Sequence, residues 1–434
     1  MALLKLVLIT GVPRTRKPQR TSGPKSFYLF FTICLFLGLV LSALEVILRK
    51  DRFPAAQGSY RPVPDIQKTG PAEVVQSMLA DRTRSLVDGD TKRLEKNYDL
   101  SSDTGEWAFE REKKRVRYFQ EWARLRGVRI LEATSTFEVD TVSRDAEDLY
   151  WVEITEHTVY SYRYENPDAG AAGLAESPTH RFGSRTVHAI ELIRMGEGWV
   201  IRMDWYIDPL GEEAYEPPRL PEEAAEKTLP GISASEVAEN PIKDPGFSPF
   251  PGELVSSEKA AGGLFNRERA REYAIKHSGV RVLPEGGRYN ARYRVYTYLG
   301  GDCANFASQV LSAGGVPQGG GWHYTGEGST AWVQGESLVW HLLSSGKGQR
   351  LFRGDYQEAV KPRDGCPDGI VSLLEPGDII AYETKGQICH VAVVVGKDPR
   401  GYVTIASHTA DRLHFPWDLG WDKETVFWFI KIVY

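Results

Sequence analysis

The sequence predicts two α+β units that follow an apolar N-terminal segment. Helix-like patterns precede strand-like patterns twice along the chain, and a stretch rich in proline and glutamate separates the two occurrences. Helices followed by a run of strands are typical of α+β folds. The length of 434 residues also exceeds what one ordinary hydrophobic core holds, which favours more than one domain.

The first element is an apolar run over residues 26–48, long enough for a membrane-spanning helix of about 20 residues. Residues 1–25 form a basic tail with six Lys or Arg and no acidic side chain, which favours a cytoplasmic N-terminus. No small-residue cleavage site follows the run, so we expect an uncleaved signal-anchor. The sequence thus predicts a single-pass membrane protein with the bulk of the chain extracytoplasmic. A buried core helix is the alternative.

The rest of the chain is acidic, because the total formal charge is −5 although the tail is basic. A surface of that sign excludes nucleic acid as a partner, since phosphates need a basic face. The four cysteines, Cys34, Cys303, Cys366 and Cys389, do not form a dense disulfide framework. A bridge between two of the last three remains open.

Residues 71–210 are predicted to form a middle α+β domain. Helical periodicity covers residues 71–98 and 107–126, and strand patterns cover residues 128–137, 149–164, 185–195 and 198–206. This order resembles the cone-like antiparallel sheet of nuclear-transport-factor-like domains, which implies a possible role in dimerisation or partner docking. His157 and His188 are interpreted as structural residues. Residues 211–263 have the Pro- and Glu-rich composition of a linker.

The second unit, residues 264–434, begins with a helix over 266–278 that Asn266 caps. A further helix is predicted from Cys303 to the glycine pair at 314–315. Asp302 is the predicted N-cap, which puts Cys303 in the first turn. There the helix dipole would lower the pKa of the thiol, as a nucleophile needs. The alternative is that Cys303 is a small buried core residue.

Three strands are predicted downstream, over residues 377–382, 389–396 and 402–408. If Gly396 pairs with Tyr402, His390 lies opposite His408 on the face that receives the Cys303 helix. A Cys–His–His row supplies a nucleophile, a base and a residue that orients the base. A slip of one residue would send His408 to the other face. A half-buried structural His390 is the alternative.

The neighbouring Cys389 would then point to the opposite face, into the core. Zinc is a further alternative, because Cys303, Cys389, His390 and His408 are all zinc-ligand types. However, adjacent strand residues point apart, and no CxxC or HxxxH spacing is present. The sequence therefore predicts neither a metal nor a cofactor.

These motifs carry a family resemblance. The sequences FNR at 265–267, DCANFASQ at 302–309, GDII at 377–380 and SHTADR at 407–412, together with His390, resemble the putative amidase domain of Gram-positive bacteria. That domain is related to NlpC-type and CHAP cell-wall hydrolases. The resemblance covers residues 264–434 and implies a papain-like cysteine hydrolase fold, with Cys303 as nucleophile, His390 as base and His408 as third member. Ala304 departs from the usual Thr or Ser.

Four further residues are candidates for contacts in such a site. Tyr298 and Asp302, just before the cysteine, could serve an oxyanion hole or the substrate, and Trp322 and Trp332 could stack on a sugar or peptide. The alternative for both tryptophans is that they cap the core.

Together these features predict a membrane-anchored, extracytoplasmic cysteine amidase or peptidase that cleaves an amide, expected in cell-wall peptidoglycan, without a cofactor. One alternative is a catalytically inactive module that binds the cell wall or acts as an envelope scaffold. Another is an acyl or peptidyl transferase, in which an amine replaces water in the second step.

Overall fold

A mixed α+β architecture built on one large antiparallel sheet characterises the computed structural model. The structure describes residues 71–146, 148–165, 178–211, 217, 264–281, 283 and 287–434. The predicted tail, the signal-anchor and all but two residues of the linker lie outside these residues. Within the described part of the chain, no helix is both long and apolar enough to cross a membrane.

The first half contains two helices and four strands. These are α1 (Pro71–Asp88), α2 (Asp103–Leu125), β1 (Val128–Ala146), β2 (Leu149–Tyr164), β3 (His180–Met195) and β4 (Gly198–Tyr206). The predicted first helix is shorter than expected, because Gly89 takes a positive φ of 77° and ends it before a 3-10 turn at Lys92–Asn97. The apolar residues Val75, Met78, Leu79 and Leu86 are buried, as the periodicity predicts.

The second half begins with short helices and ends in a run of strands. Its helices are α3 (Arg267–Lys276), α4 (Cys303–Ala313), α5 (Thr330–Val333), α6 (Gly335–Ser344) and α7 (Tyr356–Val360). Its strands are β5 (Gly348–Gly354), β6 (Ile379–Thr384), β7 (Gln387–Lys397), β8 (Val403–Ser407), β9 (Asp411–Pro416) and β10 (Val426–Ile432). Asn266 caps α3, since its side chain accepts a hydrogen bond from the backbone N–H of Arg269. That predicted cap is confirmed.

The ten strands form a continuous sheet in the order β1-β2-β3-β9-β8-β7-β6-β10-β5, with β4 also paired to β3. The β3–β9 ladder joins the two predicted units through three residue pairs, from Gly183 with Leu413 to Arg185 with Asp411. Residues 65–434 accordingly belong to one compact unit.

Buried side chains add to this junction. Asp418, in the loop after β9, accepts hydrogen bonds from Trp122 and Arg126 of the α2 end. Asp398 accepts two more from the hydroxyl groups of Tyr162 and Tyr164 on β2. The two halves are therefore tied by backbone pairing and by buried polar contacts.

The two faces of the second-half sheet pack against different partners. Val391, Val393 and Val395 of β7 lie in the same apolar cluster as Phe306 of α4. Ala392, between them, faces the cluster that contains the aromatic side chains of α2. The alternation of β7 therefore determines which of its side chains can meet α4.

Candidate functional site

Cys303 opens α4, as the sequence predicts, and its side chain remains partly accessible. The sulfur accepts hydrogen bonds from the backbone N–H groups of Ala304 and of Val391 on β7. Both contacts favour the thiolate, but burial outweighs them and raises the pKa of Cys303 to about 11. The expected depression of this pKa is wrong. In this geometry Cys303 is a thiol at neutral pH.

Asp302 occupies the N-cap position of α4, as predicted, but its side chain makes no capping hydrogen bond. Its Oδ1 accepts hydrogen bonds from the backbone N–H of Tyr296 and from the side-chain amide of Asn305. Its Oδ2 lies 2.7 Å from Nδ1 of His408. These three partners hold the carboxylate away from the free N–H groups of the helix. The buried carboxylate of Asp302 thus connects the start of α4 to His408 by hydrogen bonds.

His408 lies on the α4 side of the sheet, just after β8. Its ring stacks on Phe306, with 4.0 Å between centroids, and its Nε2 lies 2.6 Å from the carbonyl oxygen of His277. Both ring nitrogens therefore face acceptors, a carboxylate and a carbonyl. A neutral imidazole carries one N–H group, so it can donate a hydrogen bond to only one of these two acceptors.

His390 lies on the opposite side of the sheet from Cys303. Its ring packs against Tyr382 and Trp421, with centroids 5.8 and 5.6 Å away. Among the residues that the structure describes, Nε2 of His390 has no hydrogen-bond partner. Burial, and then the charge of Arg412, lower its pKa to about 3. The expected facing pair of His390 and His408 is wrong.

The error lies in the strand register. Gly396 pairs with Thr404 instead of with Tyr402, so the hairpin itself offsets the expected register by two residues. Val395 is then an extra residue in the ladder before Val393 pairs with Ala406. Such a bulge shifts the pairing and reverses the side that each following residue faces. A second irregularity lies beside Cys389, where β6 and β7 also lose register.

Cys389 is exposed, and the expectation that it lies in the core is wrong. Its sulfur is 2.9 Å from the hydroxyl of Thr384. Cys303, Cys366 and Cys389 are all free thiols. Among the described side chains, no group of three or more His, Cys, Asp or Glu residues is placed to hold a metal ion.

Trp322 and Trp332 have no exposed surface and are core residues, so neither offers a face to a substrate. Their rings stack 4.8 Å apart, and their indole N–H groups donate to Ser308 and Asn305 of α4. The expectation of substrate contact is wrong for both, because their side chains are buried in the core and hydrogen-bond to α4. Tyr298 is 75% exposed in a 3-10 turn five residues before Cys303, and its role stays a prediction.

Three groups that surround His408 were not predicted from the sequence. They are the carbonyl oxygen of His277, the ring of Tyr289 at 4.4 Å, and Asp411, which accepts a hydrogen bond from Tyr289. A backbone carbonyl leaves no signal in a sequence. Asp411, by contrast, stands three residues after His408, and that spacing could have identified it.

The candidate site lies in a segment whose sequence is similar to that of known proteins. Residues 265–430 match the family model described as a putative amidase domain. The chain is also 29% identical over 196 residues to the uncharacterized protein YhbB of Bacillus subtilis strain 168. That similarity covers 42% of this chain and 54% of YhbB, so the chain spans about half the length of this curated relative.

Solved structures give weak similarities only. The intermembrane space region of the chloroplast protein ARC6 aligns with a TM-score of 0.22 and 17% identity, over 34% of this chain and 98% of that one. A putative dehydratase of the NTF2-like family from Streptomyces avermitilis aligns with a TM-score of 0.21 and 13% identity, over 31% and 94%. Similarities at this level support no conclusion about fold or function.

Proposed function

We propose that residues 264–434 form a cysteine-dependent amidase or peptidase domain with Cys303 as the nucleophile. The observation that carries the proposal is the position of Cys303. It is the first residue of a helix packed on the sheet, and it lies within a segment that matches an amidase family. A sulfur at a helix N-terminus, beside two backbone N–H groups, is where negative charge on sulfur or on a substrate oxygen is stabilised.

The reaction requires an amide carbonyl next to the sulfur. Sγ of Cys303 bonds to the carbonyl carbon, the C–N bond breaks, and the amine leaves with a proton. Water then attacks the thioester and the C–S bond breaks. The hydroxyl group of the water stays on the carbonyl carbon, and its other proton returns to the sulfur. A histidine has to carry the proton in both steps.

The geometry favours His408 over His390 as that histidine. His408 shares the α4 face and is bonded to Asp302, the residue directly before Cys303, whereas His390 points to the other face. Asp302 would orient the imidazole, as a carboxylate does in other nucleophile–histidine sites. The proposal requires His408 to exchange its contact with the His277 carbonyl for one with Sγ when substrate binds.

A second candidate function is a binding module without turnover. The raised pKa of Cys303 favours it, since a thiol with a pKa of about 11 is a poor nucleophile at neutral pH. Such a module would bind an amide-containing polymer without cleaving it.

Peptidoglycan is the proposed substrate, because the motifs resemble those of cell-wall hydrolases. The apolar run at residues 26–48 supports a single-pass anchor with the domain outside the membrane. A tag at the N-terminus should resist protease added to intact cells, whereas a tag at the C-terminus should be removed once the wall is digested. The reverse pattern would contradict the proposed orientation.

The test of activity uses residues 51–434, which contain the whole compact unit, with purified cell-wall sacculi. The wild-type protein should release soluble fragments with new amino groups, and Cys303→Ala and His408→Asn should not. Cys366→Ala is the matched control and should remain active. Binding of sacculi without release by the wild type would favour the binding module. Activity that survives Cys303→Ala would refute the cysteine mechanism.

A further inference from the structure

A buried ion pair joins the two halves of the chain beside His408. Arg185 of β3 and Asp411 of β9 are direct partners in the short ladder between the two halves. Nη1 of Arg185 lies 3.3 Å from Oδ2 of Asp411. Arg185 lies outside the segment that matches the amidase family, and Asp411 lies inside it. The predicted middle domain thus contributes a charged group, Arg185, that is connected to His408 through the residues described next.

Asp411 is deeply buried, at 3% exposure, and Tyr289 donates its hydroxyl to the same Oδ2 at 2.6 Å. The guanidinium of Arg185 also lies over the ring of Tyr289, 5.3 Å from its centroid. A buried carboxylate is costly without a cationic partner. Arg185 therefore stabilises the charge of Asp411 and fixes the position of Tyr289.

The ring of Tyr289 packs on the imidazole of His408, with 4.4 Å between centroids. Phe306 stacks on the same imidazole at 4.0 Å. Asp302 and the carbonyl of His277 hold its two nitrogens. Of the groups that define the orientation of His408, Tyr289 is the one that is itself held by a residue of the first half.

We propose that Arg185 is a positioning residue for the candidate site. Through Asp411 and Tyr289 it holds the imidazole of His408 in the orientation in which Nδ1 faces Asp302. The catalytic part of this inference rests on the proposed function of His408. The structural part, that Arg185 orients the imidazole, does not depend on turnover.

The test compares Arg185→Gln, Arg185→Lys and Tyr289→Phe in the full chain with the control Arg194→Gln, a change at an exposed arginine on the same strand. The first readout is the pair of ring ¹⁵N resonances of His408, assigned with His408→Asn and followed against pH. In Arg185→Gln both resonances should shift and the titration curve should move, whereas Arg185→Lys should restore part of the wild-type curve. Arg194→Gln should match the wild type.

Tyr289→Phe keeps the ring on His408 and removes the bond to Asp411, so a shift in the same direction is expected. This variant tests the inference even if Arg185→Gln does not fold. Wild-type resonances of His408 in both Arg185→Gln and Tyr289→Phe would overturn the proposal.

The second readout is amide cleavage of sacculi, where Arg185→Gln should lower kcat/KM by about 100-fold, as small misplacements of catalytic groups do. If the wild type cleaves nothing while the His408 resonances respond as expected, the proposed function fails and the positioning role stands. If the wild type cleaves and Arg185→Gln cleaves equally well, the positioning role fails alone.

Discussion

His390 and Cys303 lie on opposite faces of one sheet, although Val391, the residue after His390, donates its N–H to the sulfur of Cys303. The side chain of Val391 lies in the apolar cluster that packs against Cys303, and neighbouring strand residues point to opposite sides, so the His390 ring lies away from Cys303. The site therefore depends on which residue of β7 faces α4. The histidine that shares the side of Cys303 is His408.

The thiol of Cys303 should react slowly with iodoacetamide in the ligand-free protein at neutral pH. Burial raises its pKa to about 11, so the alkylation rate should rise about tenfold per pH unit from pH 7 to pH 10. Mass spectrometry of the labelled peptide measures this rate. The exposed Cys389 is the internal comparison, and it should be labelled first at pH 7. A rate for Cys303 that is already constant above pH 7 would indicate an activated thiolate and contradict this geometry.

The sequence predicted the elements of this region better than their pairing. The cap at Asn266, the helix that starts at Cys303 and the strands around His390 follow from local periodicity and end signals, which depend on residues close in the chain. The register between β7 and β8 depends on the bulge at Val395, and no local pattern announces it. One extra residue was enough to reverse the inferred face of His390.

The same limit applies to Asp302 and the two buried tryptophans. Asp302 has the residue type and position of an N-cap, but tertiary donors from Tyr296, Asn305 and His408 compete for its carboxylate. Trp322 and Trp332 were predicted to contact substrate because a sequence does not show on which side a loop packs. These outcomes are decided by contacts between segments far apart in the chain.

His390 should make the protein less stable as the pH falls below about 6.5. Its pKa is lowered to about 3 in the folded state, so the unfolded state binds more protons between these values. Stability contributed by the neutral ring is therefore present above pH 6.5 and lost as the pH falls toward 3.

The variant His390→Phe does not titrate and keeps an aromatic ring beside Tyr382 and Trp421. Its free energy of unfolding, relative to the wild type, should rise by about 1.4 kcal/mol for each pH unit below 6.5. Urea denaturation at pH 7, 6 and 5 measures the difference. A difference that stays constant over this range would mean that His390 is not buried as a neutral ring.

His188 should stabilise the first half as a cation. Its two ring nitrogens lie 2.8 Å from Asp204 and 3.1 Å from Glu156, and all three side chains are buried. Although burial opposes the charge, these carboxylates raise the pKa of His188. Its stabilising contribution is therefore fully present below its unfolded pKa of about 6.5 and is lost as the pH rises through the higher folded value.

Replacing this histidine tests that assignment. His188→Gln should lower the free energy of unfolding at pH 6 by about 3–5 kcal/mol, since the buried carboxylate of Asp204 loses its cation, whereas Glu156 keeps Arg82 at 3.5 Å. The loss relative to the wild type should shrink at alkaline pH. The double variant His188→Gln with Asp204→Asn should recover part of the stability, because one uncompensated charge is gone. Equal losses at pH 6 and at alkaline pH would contradict the cationic state.

The segment that matches the amidase family should not fold alone. Without residues 71–210, the edge of β9 is unpaired, and the buried carboxylates of Asp398 and Asp418 lose the donors Tyr162, Tyr164, Trp122 and Arg126. A protein of residues 264–434 should therefore aggregate or lack a cooperative thermal transition in circular dichroism, whereas residues 51–434 should unfold in a single step. In the longer protein, Asp418→Asn should cost about 3–5 kcal/mol, because the buried salt bridge between Arg126 and Asp418 is lost. Glu424→Gln, in the same loop but exposed, is the matched control and should leave the transition unchanged. A stable, cooperatively folded 264–434 fragment would show that this segment does not need the first half in order to fold. The His408 resonances of that fragment, which lacks Arg185, would then be compared with those of the full chain to test the role inferred for Arg185.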